Sequence, residues 1–407
     1  MSQATRTPVA AAAEGRVFLI AAEESGDRLG AALVGALRER SNAPLRFSGV
    51  GGRQMSKAGV PSLFPIEELA ILGFAEIPRR LPTILTRIRQ AADAVLKAAP
   101  DVLVVIDSPD FTHRVAKRVR AANPRIPIVD YVCPSVWAWR PWRARAMRRY
   151  IDHVLALLPF EPAALQRLGG PPCTYVGHPL AERIDDLRPN REEAQRRLAD
   201  PPVVLLLPGS RATEIRRMLA VFGEAVARIR GAVGSMELVL PTVPHLREPI
   251  EAEVAQWPHP PRIVVDEREK AANFRIARAA LAKSGTVTLE LALAGVPTVA
   301  AYRVSAVEAV VARLMIQVET VILANLVLGE KVVPEFLQED CNPERLAAAL
   351  LPLLKNGPER QRQVEAFARL DAIMEIGQRA PAVRAAEAVL GLLRPSERTF
   401  ADEVSKR

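Results

Sequence analysis

Cysteine is scarce in this chain. Its 407 residues hold three, Cys133, Cys173 and Cys341, far apart and without a CxxC pair. An odd, scattered count excludes a disulfide framework and a cysteine zinc site, and fits a reducing compartment. Long apolar runs are missing too. No stretch of about 18 uninterrupted apolar residues occurs, so no membrane-spanning helix is expected. The stretch from Val9 to Ala13 is too short and too weakly apolar for a signal-peptide core, and Glu14 follows it at once. Residues 1–14 therefore read as a loose tail. Zinc-finger spacing, an RNP-like aromatic motif, a GxGxxG fingerprint and solenoid-period repeats are all absent. Nucleic acid is not an expected partner, although the net charge is +9. A basic excess suits phosphorylated partners or an anionic membrane surface. The expected location is cytoplasmic, with access to a membrane surface.

What is present is material for large cores. Hydrophobic residues make up 49% and charged residues 25%, which excludes global disorder. The length fits roughly two to three domains. Short apolar runs alternate with helical stretches. Strands are expected at 17–22, 102–107, 126–131, 152–158 and 173–176, with helices at 27–40 and from the 102–107 strand through Arg120. After a polar stretch at 185–202, a second series follows at 203–207, 236–240, 262–265, 279–283 and 298–301. The pattern from Pro343 to Leu393 is helical, and a polar tail follows Pro395. Near-continuous apolar strands alternating with helices specify parallel sheets covered on both faces. The expected fold class is α/β, with two Rossmann-like, doubly wound lobes and a cleft between them. The lobes are expected at 15–185 and 200–345, with C-terminal helices at 346–395 that either pack on the N-terminal lobe or are exchanged in a dimer. In such sheets ligands sit at the carboxyl ends of the strands.

Several turns at those ends carry candidate chemistry. Lys283-Ser284-Gly285-Thr286 closes a strand and opens a helix, where unpaired N–H groups and the helix dipole favour an anion. Glu290 lies one turn on and can accept both hydroxyls of a ribose; the alternative is an N-cap with a surface glutamate. Leu207-Pro208-Gly209-Ser210-Arg211 is a second such turn. Gly209 permits close backbone approach, Ser210 can cap the next helix, and Arg211 offers a fork for phosphate oxygens. An ordinary capped helix start with a solvated arginine is the alternative there.

Acids mark the first lobe. Asp107 and Asp110, in Ile106-Asp107-Ser108-Pro109-Asp110-Phe111, follow a buried strand. Asp107 is the better candidate for a general base, whereas Asp110 is also placed to cap a helix from Phe111. Ala22-Glu23-Glu24-Ser25-Gly26-Asp27 suits a sugar or amine-bearing acceptor better than a phosphate, with Glu23 and Ser25 as candidate contacts. The Gly49-Val50-Gly51-Gly52 run is a tight loop without a fingerprint. Pro134-Ser135-Val136-Trp137-Ala138-Trp139-Arg140-Pro141-Trp142 holds three of the four tryptophans, and five arginines fall between Arg140 and Arg149. Trp139 and Arg140 suit a sugar face, a phosphate or a headgroup; a Trp-anchored helix with a solvated basic face is the alternative. From Leu69 to Arg89 an apolar stripe of Leu72, Phe74, Ile77, Leu81, Ile84, Leu85 and Ile88 runs between arginines. It either packs on a core or lies in a membrane interface. His178, in Val176-Gly177-His178-Pro179, either touches a phosphate or is a buried, satisfied histidine.

Taken together, these motifs resemble the lipid-A-disaccharide synthase family, glycosyltransferase family 19. The resemblance rests on the Glu23–Asp27 loop, 106–111, Ser135-Val136-Trp137-Ala138-Trp139-Arg140, Leu158-Pro159-Phe160-Glu161 and Val176–Pro179. It continues through Leu207–Arg211, Ser284–Glu290, Tyr302-Arg303, Asn325-Leu326 and Leu337-Gln338-Glu339, in the family's order over roughly residues 16–355. The first loop departs from the family's usual Gly-Glu-Ala-Ser-Gly-Asp, with Glu24 as an extra acid, and 320–324 also diverges.

The resemblance implies a GT-B fold. It implies transfer of 2,3-diacylglucosamine from its UDP derivative to 2,3-diacylglucosamine 1-phosphate, with inversion, release of UDP, and no metal or cofactor. Asp107 would be the base for the acceptor 6-hydroxyl, and Arg211 would offset charge on the leaving UDP. Glu290 would hold the ribose, with Arg303 and Asn325 in the donor site. Family members are peripheral membrane proteins, which implies the cytoplasmic face of the inner membrane for this chain. The 69–89 stripe then becomes a membrane contact, with the 140–149 arginines drawing anionic headgroups. Some members form homodimers by exchanging C-terminal segments. Competing readings are a related GT-B transferase on a lipid-linked peptidoglycan precursor, a UDP-N-acetylglucosamine 2-epimerase, and a non-catalytic nucleotide-sugar-binding membrane protein. The SVWAWR segment speaks against the first two.

Overall fold

A computed structural model describes residues 14–69, 77–305, 308–310 and 315–393. The expected tails at 1–14 and beyond Pro395 fall outside these residues, save Glu14. The chain divides into two compact units. One comprises Met1–Trp137, Pro141–Pro179 and Arg379–Arg407, and the other Ala138–Arg140 and Leu180–Gln378.

The first unit holds six parallel strands, β1 (Gly15–Ala21), β2 (Leu45–Val50), β3 (Val102–Ile106), β4 (Ile128–Tyr131), β5 (His153–Ala156) and β6 (Cys173–Tyr175). Their order is β2-β1-β3-β4-β5-β6. Side chains alternate between two cores, as a strand's period of two requires. Phe18, Ile20, Leu103, Val105, Ile128 and Val154 enter one core, and Val17, Leu19, Val102, Val104, Val129 and Leu155 the other. Strand order reverses between β1 and β3, which places the first unit's crevice at their carboxyl ends.

The Gly-rich loop has a packing cause. A Cβ on Gly49 would stand 2.0 Å from Leu19 O, so β1 and β2 approach only with glycine there. Asp27 then fastens the loop: its carboxylate accepts Gly52 N–H, Gln54 N–H and Met55 N–H at 2.8–2.9 Å. The helix after β1 runs Glu24–Arg40, earlier than the expected start at Asp27. Glu24 and Asp27 in its first turn complement the positive end of the helix dipole, which extends the helix backward.

The second unit repeats the plan with β7 (Val203–Leu207), β8 (Glu237–Pro241), β9 (Arg262–Val264), β10 (Ala279–Lys283), β11 (Thr298–Tyr302) and β12 (Glu335–Leu337), all parallel. The order β12-β11-β10-β7-β8-β9 reverses between β7 and β10. Register sets Ala282 opposite Leu207, so the turns that follow these two strands leave the sheet side by side.

Arg197 ties the helices beneath that edge. Its buried guanidinium donates to Phe274 O, Arg275 O, Ala294 O and Gly295 O at 3.0–3.1 Å. These carbonyls end the helices Glu267–Ile276 and Val287–Leu293, where acceptors would otherwise lack partners. Burial lowers its pKa to about 10, which leaves it charged at neutral pH. Of the C-terminal helices, Pro343–Leu354 and Pro358–Ala368 belong to the second unit. Pro381–Leu390 belongs to the first, where Ala385, Ala386 and Val389 share a core with Leu33, Val34 and Leu37.

Candidate active site

In the first unit the switch point is occupied by Asp107. Its φ of 56° and that of Ser108, 45°, put two successive non-glycine residues in the left-handed region. Such backbone is costly and persists only when its surroundings hold it. Here they do. Asp107 N–H donates to Tyr131 O at 3.0 Å, and Thr112 Oγ1 donates to Asp107 O at 2.7 Å. The carboxylate is held as well. Oδ1 accepts Ser108 N–H at 2.8 Å, and Oδ2 accepts Ser25 Oγ–H at 3.1 Å. The two sequence-predicted loops, one after β1 and one after β3, thus meet. Each carboxylate oxygen keeps further lone pairs for a substrate hydroxyl. Ser108 Oγ is buried with no partner among the described residues.

Other candidates of this unit are placed differently. Glu23 is exposed just before the Glu24–Arg40 helix. Asp110 does not cap a helix from Phe111. That helix begins at Pro109 with Ser108 before it, and Asp110 is exposed within its first turn, 4.0 Å from Arg143 Nη2. His178 is buried, and desolvation pulls its pKa down to about 4. Its imidazole is therefore neutral near pH 7 and brings no positive charge to a phosphate.

The tryptophan motif is anchored at Trp137. Its Nε1–H donates to Glu161 Oε1 at 3.1 Å, and its ring stands edge-on to Phe160 at 4.9 Å. Glu161 Oε2 accepts Leu158 N–H at 2.9 Å. Burial outweighs these bonds and a further backbone one from Leu157, and pushes Glu161 up to about 7. In the sequence Glu161 stands out only as part of a motif, and an acid after an apolar strand is the one local signal for it. Past Trp137 the chain joins the second unit. There Gln317 N–H donates to Ala138 O at 2.9 Å, Trp139 bridges to Ile316, and the Arg140 guanidinium lies 4.2 Å from the Trp139 ring centre. Trp142, 63% exposed, then lines a groove with Arg145, Arg148 and Arg149.

The 69–89 stripe divides. In the helix Ile77–Ala98, Ile88 is buried in the core and Ile84 packs against it, whereas Leu81 and Leu85 are 42% and 38% exposed. Leu72 and Phe74 lie outside the described residues. Among the described residues no helix is long and apolar enough to cross a membrane.

In the second unit the turns after β7 and β10 share one edge. Gly209 has φ 130°, and a Cβ there would stand 2.4 Å from Glu214 Oε2. Ser210 does not cap the next helix, whose N-cap position is Arg211 without a side-chain cap bond; instead Glu214, in the first turn, reaches back so that its Oε2 accepts Ser210 N–H at 3.0 Å. That leaves Ser210 exposed and Arg211 with a side chain 80% exposed. Ser284 is buried, with its N–H on Ala301 O at 2.9 Å. Gly285 and Thr286 follow, and Thr288 Oγ1 donates to Gly285 O at 2.7 Å. Thr286 precedes the Val287–Leu293 helix without a side-chain cap bond, so its hydroxyl is not used as an N-cap. Glu290 is mostly buried and accepts Lys270 Nζ at 3.2 and 3.4 Å. Lys270 escapes a sequence reading because nothing local links residues twenty apart. Arg303 follows β11 and reaches Gln338 O at 3.4 Å.

Asn325 is placed elsewhere. It is buried, accepts Val332 N–H and Val333 N–H at 3.0 and 2.8 Å, and donates to Val333 O at 2.9 Å. These residues precede β12, on the amino side of the sheet, so Asn325 clamps that loop instead of joining the Ser284 turn. It also lines a cavity of about 480 Å³ with Glu335, Leu353 and Gln363.

The family model described as lipid-A-disaccharide synthetase matches residues 17–389. The lipid-A-disaccharide synthase of Nitrobacter hamburgensis is 62% identical over 381 residues, 94% of this chain and 96% of its own. That of Bradyrhizobium diazoefficiens is 61% identical over 383 residues, 94% of this chain and 98% of its own. Among solved structures, the glycotransferase of kitacinnamycin aligns with a TM-score of 0.59 at 16% identity, over 94% of this chain and 100% of that one. At that identity the likeness speaks for the fold alone, and the two doubly wound units are of the GT-B class.

Proposed function

The chain belongs to the lipid-A-disaccharide synthase family, and on that premise we propose how its residues divide the work. It is a glycosyltransferase of lipid A synthesis, condensing UDP-2,3-diacylglucosamine with 2,3-diacylglucosamine 1-phosphate. In our reading Asp107 takes the proton of the acceptor 6-hydroxyl as that oxygen attacks the anomeric carbon of the donor. One C–O bond forms, the bond to the diphosphate breaks, and the configuration inverts. The observation that carries this reading is the Asp107 carboxylate, fixed by Ser25 and Ser108 at a topological switch point. Arg211, exposed and 3.9 Å from Glu214 Oε1, meets the charge that develops on UDP, a role that calls for no metal. Ser284, Gly285 and Thr286 face the diphosphate, and Glu290 exchanges Lys270 for the ribose hydroxyls. Incubation with both diacylated substrates should yield disaccharide 1-phosphate and UDP. Turnover of UDP-N-acetylglucosamine without disaccharide would overturn the reading.

Glu290→Ala tests the donor half. Charge-assisted bonds to two hydroxyls are worth roughly 1.5–3 kcal/mol, so the Kd for UDP should rise about ten- to a hundredfold. An unchanged Kd removes Glu290 from the ribose site.

A doubly acylated substrate resides in a bilayer, so the enzyme has to meet that surface. We assign the contact to Leu81 and Leu85, on the cytoplasmic face of the inner membrane, with the arginines from Arg140 to Arg149 drawing anionic headgroups. A Leu81→Ser/Leu85→Ser variant should bind vesicles about tenfold more weakly with UDP affinity unchanged. Equal partition of variant and wild type would return both leucines to an ordinary surface role.

A further inference from the structure

The two turns of the donor edge are joined by an ion pair that the reading above leaves unused. Glu214 stands on the Ala212–Val233 helix after β7, and Lys283 ends β10. Glu214 Oε2 accepts Ser210 N–H at 3.0 Å, and Oε1 lies 3.1 Å from Lys283 Nζ. The pair therefore spans the switch point, where Ala282 is in register with Leu207. The ammonium also lies 4.6 Å from the centre of the Tyr302 ring, and a Cβ added at Gly285 would stand 3.5 Å from it. The Lys283 side chain is 18% exposed and that of Glu214 is 8% exposed.

A buried carboxylate beside a turn that receives a diphosphate is an electrostatic liability. It holds Ser210 N–H in place, yet its charge repels the incoming anion. Lys283 removes that conflict, because its charge cancels the carboxylate's where water screens little. We propose that Glu214 and Lys283 brace the Gly209–Arg211 turn for the diphosphate of the donor, Glu214 setting the loop and Lys283 neutralising Glu214. Both are positioning residues. The proposal rests on the reading of this edge as the UDP site. Gly209 fits it, since any side chain there would displace the Glu214 carboxylate.

Charge neutralisation and packing predict opposite outcomes in a mutant cycle. The measurement is the Kd of UDP, by titration calorimetry on the full chain, with melting curves to confirm folding. Lys283→Met leaves the buried Glu214 carboxylate with only the exposed Arg211 guanidinium, 3.9 Å from Oε1, to offset its charge, which draws Arg211 away from the diphosphate, and the Kd should rise more than about tenfold. Lys283→Met/Glu214→Gln removes that charge while the amide oxygen still accepts Ser210 N–H, so the Kd should return to within about threefold of wild type. Glu214→Gln alone should bind UDP at least as tightly as wild type. If both residues only pack, the double variant will be the weakest of the three. That result, or a silent Lys283→Met, overturns the brace. Should Lys283→Met fail to fold, Glu214→Gln decides, and weakened UDP binding by that variant overturns the proposal. A silent Lys283→Met with a weakened Glu290→Ala rejects the brace and keeps the donor site. A wild-type chain that does not bind UDP rejects both.

Discussion

Asp107→Asn is expected to lower kcat by a factor of about 10²–10⁴, with UDP affinity and thermal stability close to wild type. Asparagine is the informative replacement because of the backbone. At φ 56° an alanine would add strain, whereas Asn and Asp both tolerate the left-handed region. The amide preserves the shape of the carboxylate and its bond from Ser108 N–H, and Ser25 Oγ would turn to accept from the new NH₂ group. Only basicity is lost. A single-turnover measurement at saturating donor isolates the chemical step. A variant with wild-type kcat would remove Asp107 from proton transfer, whatever its effect on KM.

Much of this architecture is legible because parallel strands buried on both faces are written as continuous apolar runs. Val203–Leu207 and Ala279–Lys283 fall where the sequence puts them. Leu45–Val50 and Glu335–Leu337 escape for the converse reason. Each is an edge strand, the first interrupted by Ser48 and Gly49 and the second only three residues long. The site divides the same way. Turns at strand ends are local, and Asp107, Gly209 and the Ser284 turn stand at the two switch points. Partners are not local. Nothing near Asp27 announces that it holds Gly52, Gln54 and Met55, or near Glu290 that it faces Lys270. Asn325 shows the limit most clearly. A motif places it in a donor site, but its hydrogen bonds, set by a loop seven and eight residues on, engage it in fastening Val332 and Val333.

Glu161 and His178, both buried in the first unit, give its stability two opposed pH dependences. Desolvation raises Glu161 from 4.5 to about 7 and lowers His178 from 6.5 to about 4. Between pH 4.5 and 7 the folded chain keeps the Glu161 proton that the unfolded chain has released, so a rise in pH favours unfolding. The Glu161 contribution is complete below about 4.5 and gone above about 7. For His178 the unfolded chain binds the proton first, so its contribution is complete above about 6.5 and gone below about 4. Each displacement corresponds to about 3 kcal/mol at 1.36 kcal/mol for every tenfold change in proton affinity. Over about pH 4.5–6.5 the two slopes cancel. Either replacement uncovers the other. Relative to wild type, Glu161→Gln should gain about 3 kcal/mol between about pH 4.5 and 6.5, and His178→Gln should lose about as much. The difference from wild type matters here, because other groups contribute a common background slope. Hydrogen exchange of the buried amides of β3 and β4 reports the first unit alone. Glu161→Gln will also leave one of two donors, Leu158 N–H or Trp137 Nε1–H, facing an amide nitrogen, a pH-independent loss of about 1 kcal/mol that shifts the curve without tilting it. Curves for the two variants that run parallel to wild type would mean that neither group carries its displaced affinity in the folded protein.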